Sequence, residues 1–250
     1  MRELRIGIDK IRNVGTVSFD LEWTKNFRKK NESRPFCFSF VFLPKDFDVS
    51  VTDARRIRFG VWAFYIDSQD EGKELVRAAN MIWGKIIKGA SGPIVVGHQI
   101  SSDFAVLMNY ACQAPKSHIA LARSAWRQRK ESTSTTSVLD TRYDGECFFT
   151  GDSRRLVDVC NESNLLVTQP ELQSSMTAMQ YKYYSTGDYH IRERLQILNV
   201  RHSLSSAVLA HVIRSGIRRK IPLNLNNAIH EQLASSISYL SSEQFQSTLT

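Results

Sequence analysis

Apolar and polar positions in the first third of the chain follow the pattern of strands. An apolar run beginning at Val17 closes on Asp20 and Glu22, and Thr16 to Leu21 predicts a strand. Phe36 to Leu43 is aromatic and β-branched, as expected of a buried strand, and Pro44 stops it. Arg58 to Ile66 predicts a third strand, and the three make an antiparallel meander. The rhythm then changes. Leu75, Ala78, Ala79, Ile82, Trp83, Ile86 and Ile87 recur at helical spacing and predict an amphipathic helix over Glu71 to Lys88. Ile94-Val95-Val96 is a short, wholly apolar strand of the kind buried in a parallel sheet.

Further helices are predicted over Asp103 to Cys112, from Ala114 onward, over Arg154 to Ser163, over Ser203 to Arg214 and over Asn227 to Tyr239. Another strand is predicted near Ser137 to Thr141. A long polar stretch rich in Gln, Tyr and Ser separates the helix at Arg154 from that at Ser203, and the Ser/Gln-rich end is expected to fray. The pattern indicates a single α/β domain over residues 1–221. Residues 222–250 form a helical extension packed on it.

A chain of 250 residues with 42% hydrophobic and 23% charged residues can build one sizeable core. Its net charge of +8 favours an anionic partner such as nucleic acid. Cys37, Cys112, Cys147 and Cys160 are widely separated, which argues against a zinc ribbon or a disulfide framework and suggests buried thiols in a reducing compartment. The N-terminus has no apolar leader and no stretch approaches membrane-span length, so the expectation is an intracellular, cytoplasmic protein with no membrane partner.

Two segments carry candidate chemistry. In a strand, side chains two apart share a face, so Asp20 and Glu22 aim two carboxylates into one place. Like charges repel there unless a cation sits between them, and hard ions such as Mg²⁺ or Mn²⁺ prefer such oxygens. In the second segment, Gly97-His98-Gln99 ends the buried strand and Asp103-Phe104 opens a helix. Locally Asp103 is a good helix N-cap; beside Asp20 and Glu22 it is a candidate third carboxylate.

Together these segments resemble the DEDD superfamily of 3′–5′ exonucleases, in its proofreading-exonuclease-like branch. The family's first motif, D-x-E, is matched by Asp20 and Glu22. Its second is matched by Gly97-His98-Gln99 with Asp103-Phe104, glutamine standing for the usual asparagine. Val138-Leu139-Asp140-Thr141 and Arg154 to Cys160 are similar to the strand and helix that follow, so the resemblance spans roughly Thr16 to Arg214. It implies an RNase H-like mixed sheet, an antiparallel meander plus parallel strands flanked by helices. It also implies Mg²⁺ or Mn²⁺ held by Asp20, Glu22 and Asp103, and a single-stranded DNA or RNA 3′ end as substrate.

The third motif departs from the family. Aligning Leu204 and Ala207-Val208 puts Arg201 where a histidine base is expected and Ser206 where a ligating aspartate is expected, with His202 one residue late. A serine removes a charged oxygen donor, and an arginine cannot accept a proton, though it binds phosphate well. The expectation is therefore an exonuclease-like protein with an incomplete metal site, His202 its candidate base and activity weak or lost. The alternative is an inactive module that binds nucleic acid or a protein. Tyr184 and Asp188 have the spacing of the family's tyrosine-type branch, but Ser185-Thr186-Gly187 is a poor helix interior. Nothing in the spacing points to Glu193 or Glu231 as replacement ligands.

Candidate nucleic-acid contacts are Trp23, Lys25, Phe27 and Arg28 after the D-x-E strand, then His98, Gln99 and Arg201. The basic runs Arg214, Arg218, Arg219, Lys220 and Lys116, Arg123, Arg127, Arg129, Lys130 suit solvated helix faces or a phosphate track.

Overall fold

The computed structural model describes residues 1–249 except 12, 25–32, 88–91, 132–135, 147 and 173. Strands β1 (Arg2–Ile6), β2 (Val14–Thr24), β3 (Arg34–Pro44), β4 (Gly60–Tyr65), β5 (Ile94–Gly97) and β6 (Val138–Asp140) form one sheet in the order β1-β4-β3-β2-β5-β6. β2, β3 and β4 are the predicted antiparallel meander, and β5 and β6 continue parallel to β2. This is the expected α/β mixed sheet, compatible with an RNase H-like fold. β1 is an addition that the sequence pattern did not announce. It pairs antiparallel with β4, and only Leu4 and Ile6 of its side chains pack on a core.

Eight α-helices among the described residues flank this sheet: α1 (Gly72–Ile87), α2 (Ile100–Asn109), α3 (Ser117–Arg127), α4 (Leu156–Glu162), α5 (Met176–Thr186), α6 (Tyr189–Ser215), α7 (Leu225–Leu233) and α8 (Glu243–Gln246). The two faces of the sheet differ in chemistry because strand side chains alternate. Val17, Phe19 and Leu21 join Phe38, Phe40 and Phe42 in a core with α1 and α2. There Phe19, Phe40 and Trp83 pack with ring centroids 4.8–5.3 Å apart. Ser18, Asp20 and Glu22 point to the other face, toward α6. Serines on both partners let that helix approach closely: Ser39 Oγ bonds the Asn199 carbonyl at 3.1 Å and Ser203 Oγ at 2.7 Å.

Helix α6 begins at Tyr189, well before the expected Ser203. Ile191, Leu195 and Leu198 continue its buried stripe, but Gln196, Asn199 and Ser203 are buried in the same helix, and these polar residues hide the apolar rhythm. α5 ends at Thr186, Gly187 adopts a left-handed conformation (φ 65°), and Asp188 caps α6 by accepting from the His190 amide at 2.9 Å. Tyr184 and Asp188 thus fall on opposite sides of a helix break.

The C-terminal residues share the second core. Leu223, Leu225, Ile229, Leu240 and Phe245 pack with Val41, Leu43, Val61, Leu204 and Val208. A parallel pair, β7 (Leu165–Leu166) with β8 (Leu223–Asn224), secures the start of this segment. Phe245 is fully buried, so among the described residues the segment is anchored through α8 rather than frayed. Cys37, Cys112 and Cys160 carry free thiols, and Cys147 lies outside the described residues.

Candidate metal centre

Asp20 and Glu22 reach the second face of the sheet near the end of β2, where α6 crosses it. His202 on α6 meets them there: its Nδ1 lies 2.9 Å from Glu22 Oε1 and 3.5 Å from Asp20 Oδ2. One ligand atom from each of the three residues lies within 4.8 Å of the others, so the cluster could hold a metal ion. Each of the three side chains keeps between 14% and 21% of its surface exposed, which leaves the centre open on one side.

Neighbouring groups orient Asp20 and His202. Asn199, one turn before His202, donates from Nδ2 to Asp20 Oδ2 at 2.7 Å and to the Asp20 carbonyl at 3.1 Å. The Gln169 amide sits 2.9 Å from His202 Nε2, so the ring presents Nδ1 to the carboxylates. Cys37 and Ser39 lie opposite Glu22 and Asp20 on β3.

Asp103 lies behind the pair. It is not the N-cap of α2 but sits in its first turn; the cap is Gln99. Asp103 is 4% exposed, and its Oδ2 has no hydrogen-bond partner. Burial, then the charges of Asp20, Glu22 and Asp140, push its carboxyl well above the usual range. Burial and the Asp20 charge push Glu22 up to about 7. For His202, burial disfavours the charge, but hydrogen bonds to and the charges of Asp20 and Glu22 prevail and raise it to about 10. The two crowded carboxyls thus hold protons more readily than free ones, and His202 carries its positive charge against Asp20 and Glu22.

The turn before Asp103 is built for close approach. A Cβ on Gly97 would lie 2.7 Å from Ile100 Cβ, so only glycine fits at the strand end. Gln99 adopts φ 61°, uncommon for a residue with a side chain. Asp140 braces it, accepting from the Gln99 amide at 2.8 Å, the Arg142 amide at 3.1 Å and Trp126 Nε1 at 2.9 Å. The Gln99 side chain turns to Ser102 Oγ at 3.1 Å. His98 has both ring nitrogens occupied, by Thr141 Oγ1 at 2.9 Å and the Arg154 carbonyl at 2.8 Å. It ties the turn to the connection before α4 and has no free nitrogen for a nucleic acid.

Burial pushes the His98 imidazole down to about 4. It should therefore stay neutral at pH 7 and titrate near that value by NMR. The folded value lies below the unfolded one, so the unfolded chain binds the proton first. This contribution, on the order of 2–3 kcal/mol, is present above about pH 6.5 and lost as pH falls toward 4. His98→Asn should flatten that part of the pH–stability curve; an unchanged curve would contradict the assignment.

Three expectations for the third motif need correction. Arg201 does not stand at the site. It points away from the sheet, fully buried, with its guanidinium held by both carboxylate oxygens of Glu171 at 2.5 and 2.6 Å and by Asn226 Oδ1 at 2.7 Å. It cannot contact a nucleic acid there. Ser206 is buried without a hydrogen-bond partner, one helical turn beyond His202. The residues beside Asp20 and Glu22 are Asn199 and His202, so the functional register is shifted by about a turn. His202 touches both carboxylates rather than standing off as a base.

Trp23 packs half-buried against the α1–α2 core. Lys25, Phe27 and Arg28 lie outside the described residues. A polar cleft of about 580 Å³ at the same end of β2 and β3 is lined by Arg34, Gln69, Asp70, Lys73, Tyr110 and Gln113. Asn199, Gln169 and Asp140 were not expected from sequence; each is a single polar residue whose partner is distant in the chain. Among the described residues no helix is long and apolar enough to cross a membrane.

Comparison with protein-family models and with curated proteins found no match to this chain.

Proposed function

We propose that this chain is a divalent-metal-dependent phosphodiester hydrolase of the 3′–5′ exonuclease-like kind, with reduced activity, acting on single-stranded DNA or RNA ends. The observation that carries this reading is the convergence of Asp20, Glu22 and His202 on one point, with buried Asp103 behind them. Bound there, Mg²⁺ or Mn²⁺ would polarise a scissile phosphate and acidify a water. Asp20 and Glu22 would hold the ion, with Asp103 adding charge from behind. Arg34 and Lys73 line the polar cleft at the same end of β2 and β3 and would attract the phosphodiester backbone.

Reduced activity follows from the donor set. The carboxylate that the resemblance implies at Ser206 is absent, and Nδ1 of His202, the candidate base, is already engaged with Glu22. Among the described residues no free imidazole stands off the cluster to take a proton from water. A second reading, a module that binds nucleic acid or a protein without cutting, draws on the Asn199 amide. It occupies an Asp20 oxygen with a donor that cannot ligate a cation.

The experiment incubates the protein with 3′-labelled single-stranded DNA and RNA and Mn²⁺, beside Asp20→Ala. Slow shortening that vanishes in Asp20→Ala is the expected result. Strand binding without shortening would favour the second reading. Neither binding nor shortening would reject both.

A further inference from the structure

The residue that completes the candidate metal centre is an imidazole, and this has a consequence for the ion. A site made only of carboxylates and water suits Mg²⁺, which demands near-ideal octahedral oxygen coordination. An imidazole nitrogen suits the later transition ions. Here one nitrogen donor, His202 Nδ1, meets two carboxylates within 4.8 Å. We propose that the centre holds a single transition-series ion in preference to Mg²⁺, and that His202 Nδ1 is the ligand that selects it. This rests on the metal-dependent reading above and names the class of ion that the site takes.

The surroundings support His202 as a built ligand rather than a chance neighbour. Histidine ligands characteristically have their other ring nitrogen held by an outer partner that sets the ring's orientation. The Gln169 carboxamide lies 2.9 Å from His202 Nε2 and fills that place when its oxygen faces the ring, so that Nε2–H donates to it and the Nδ1 lone pair is left for the ion. Gln169 is itself fixed two residues before Glu171, whose carboxylate is locked by Arg201 with both groups fully buried. An independent observation is Asp103, almost fully buried behind the cluster, whose Oδ2 has no hydrogen-bond partner and could accept charge from a cation there.

One ion, rather than two, follows from the donor count: among the described residues the ligand atoms of Asp20, Glu22 and His202 converge within 4.8 Å as a single group of three. Asp20 Oδ2 also accepts from Asn199 Nδ2 at 2.7 Å, which orients it and leaves a lone pair for the ion.

The test titrates the metal-free full chain with Co²⁺ and separately with Mg²⁺, by calorimetry and by the visible absorption of bound Co²⁺. Mg²⁺ displacement of Co²⁺ serves as a measurement that needs no variant. Expected are one Co²⁺ per chain and an affinity about 100-fold or more above that for Mg²⁺. His202→Asp replaces the nitrogen by a carboxylate and should narrow that ratio by about tenfold or more. Affinities within about tenfold of each other in the wild type, two equivalent Co²⁺ ions, or an unchanged ratio in His202→Asp would overturn the selection by His202. Such results would leave the metal-dependent reading standing. No binding of either ion would overturn that reading itself.

Discussion

Glu171→Ala is expected to destabilise the protein by about 3–5 kcal/mol, because it leaves the Arg201 guanidinium buried with no counter-charge. Total stabilities of folded chains lie near 5–15 kcal/mol, so this single change removes a large share. Both side chains have no solvent exposure, and Phe245 lies beside the arginine, its ring centroid 5.8 Å from the guanidinium carbon. Water cannot replace the lost carboxylate without opening the packing of α8. In a chain of this length, thermal unfolding should fall by roughly 10 °C. Replacing both partners with apolar residues, Glu171→Leu with Arg201→Met, should recover much of the loss, since no charge is then stranded. A drop below about 1 kcal/mol in the single variant would show that the pair is solvated and would contradict its structural role.

Asp20→Ala has the opposite profile: a large effect on the site and a small one on the fold. Asp20 contributes one of three converging ligand atoms and repels Glu22. Removing it should abolish measurable metal binding, a loss of about 100-fold or more, by analogy with other sites that lose a direct ligand. The thermal midpoint should barely move. The loss of the Asn199 hydrogen bond, on the order of 1 kcal/mol, is offset by relief of carboxylate repulsion. Calorimetry and a melting curve on the same sample separate the two effects. Metal affinity persisting in Asp20→Ala would mean that the ion sits elsewhere.

Much of the frame around the site was legible in the sequence, and the reasons are local. β2 and β3 announce themselves by aromatic and β-branched runs, and α1 by a regular apolar stripe. Asp20 and Glu22 are two apart on a strand, so their shared face follows from backbone geometry alone. Asp103 sits just past a buried strand and a glycine turn, and that placement also needs no distant partner. The remainder depends on contacts between residues far apart in sequence.

Asn199, His202 and Ser203 face the sheet as polar residues, so the stripe that should mark the start of α6 is diluted where function sits. The third motif rests on Leu204, Ala207 and Val208, whose apolar spacing repeats every turn, so it does not distinguish Ser206 from the position of His202. Arg201 and Glu171 are separated by 30 residues, and only the folded core explains why a charged residue is buried at each position. Gln99 shows the same limit: its left-handed backbone is held by Asp140, 41 residues away.

Asp20, Glu22 and His202 are expected to bind one cation at the point where they meet. Anomalous diffraction from crystals soaked in Co²⁺ or Mn²⁺ tests it most directly. One peak is expected within bonding distance of an Asp20 oxygen, a Glu22 oxygen and His202 Nδ1, with Gln169 still against Nε2. No peak at that point, with His202 Nδ1 still hydrogen-bonded to Glu22, would contradict it.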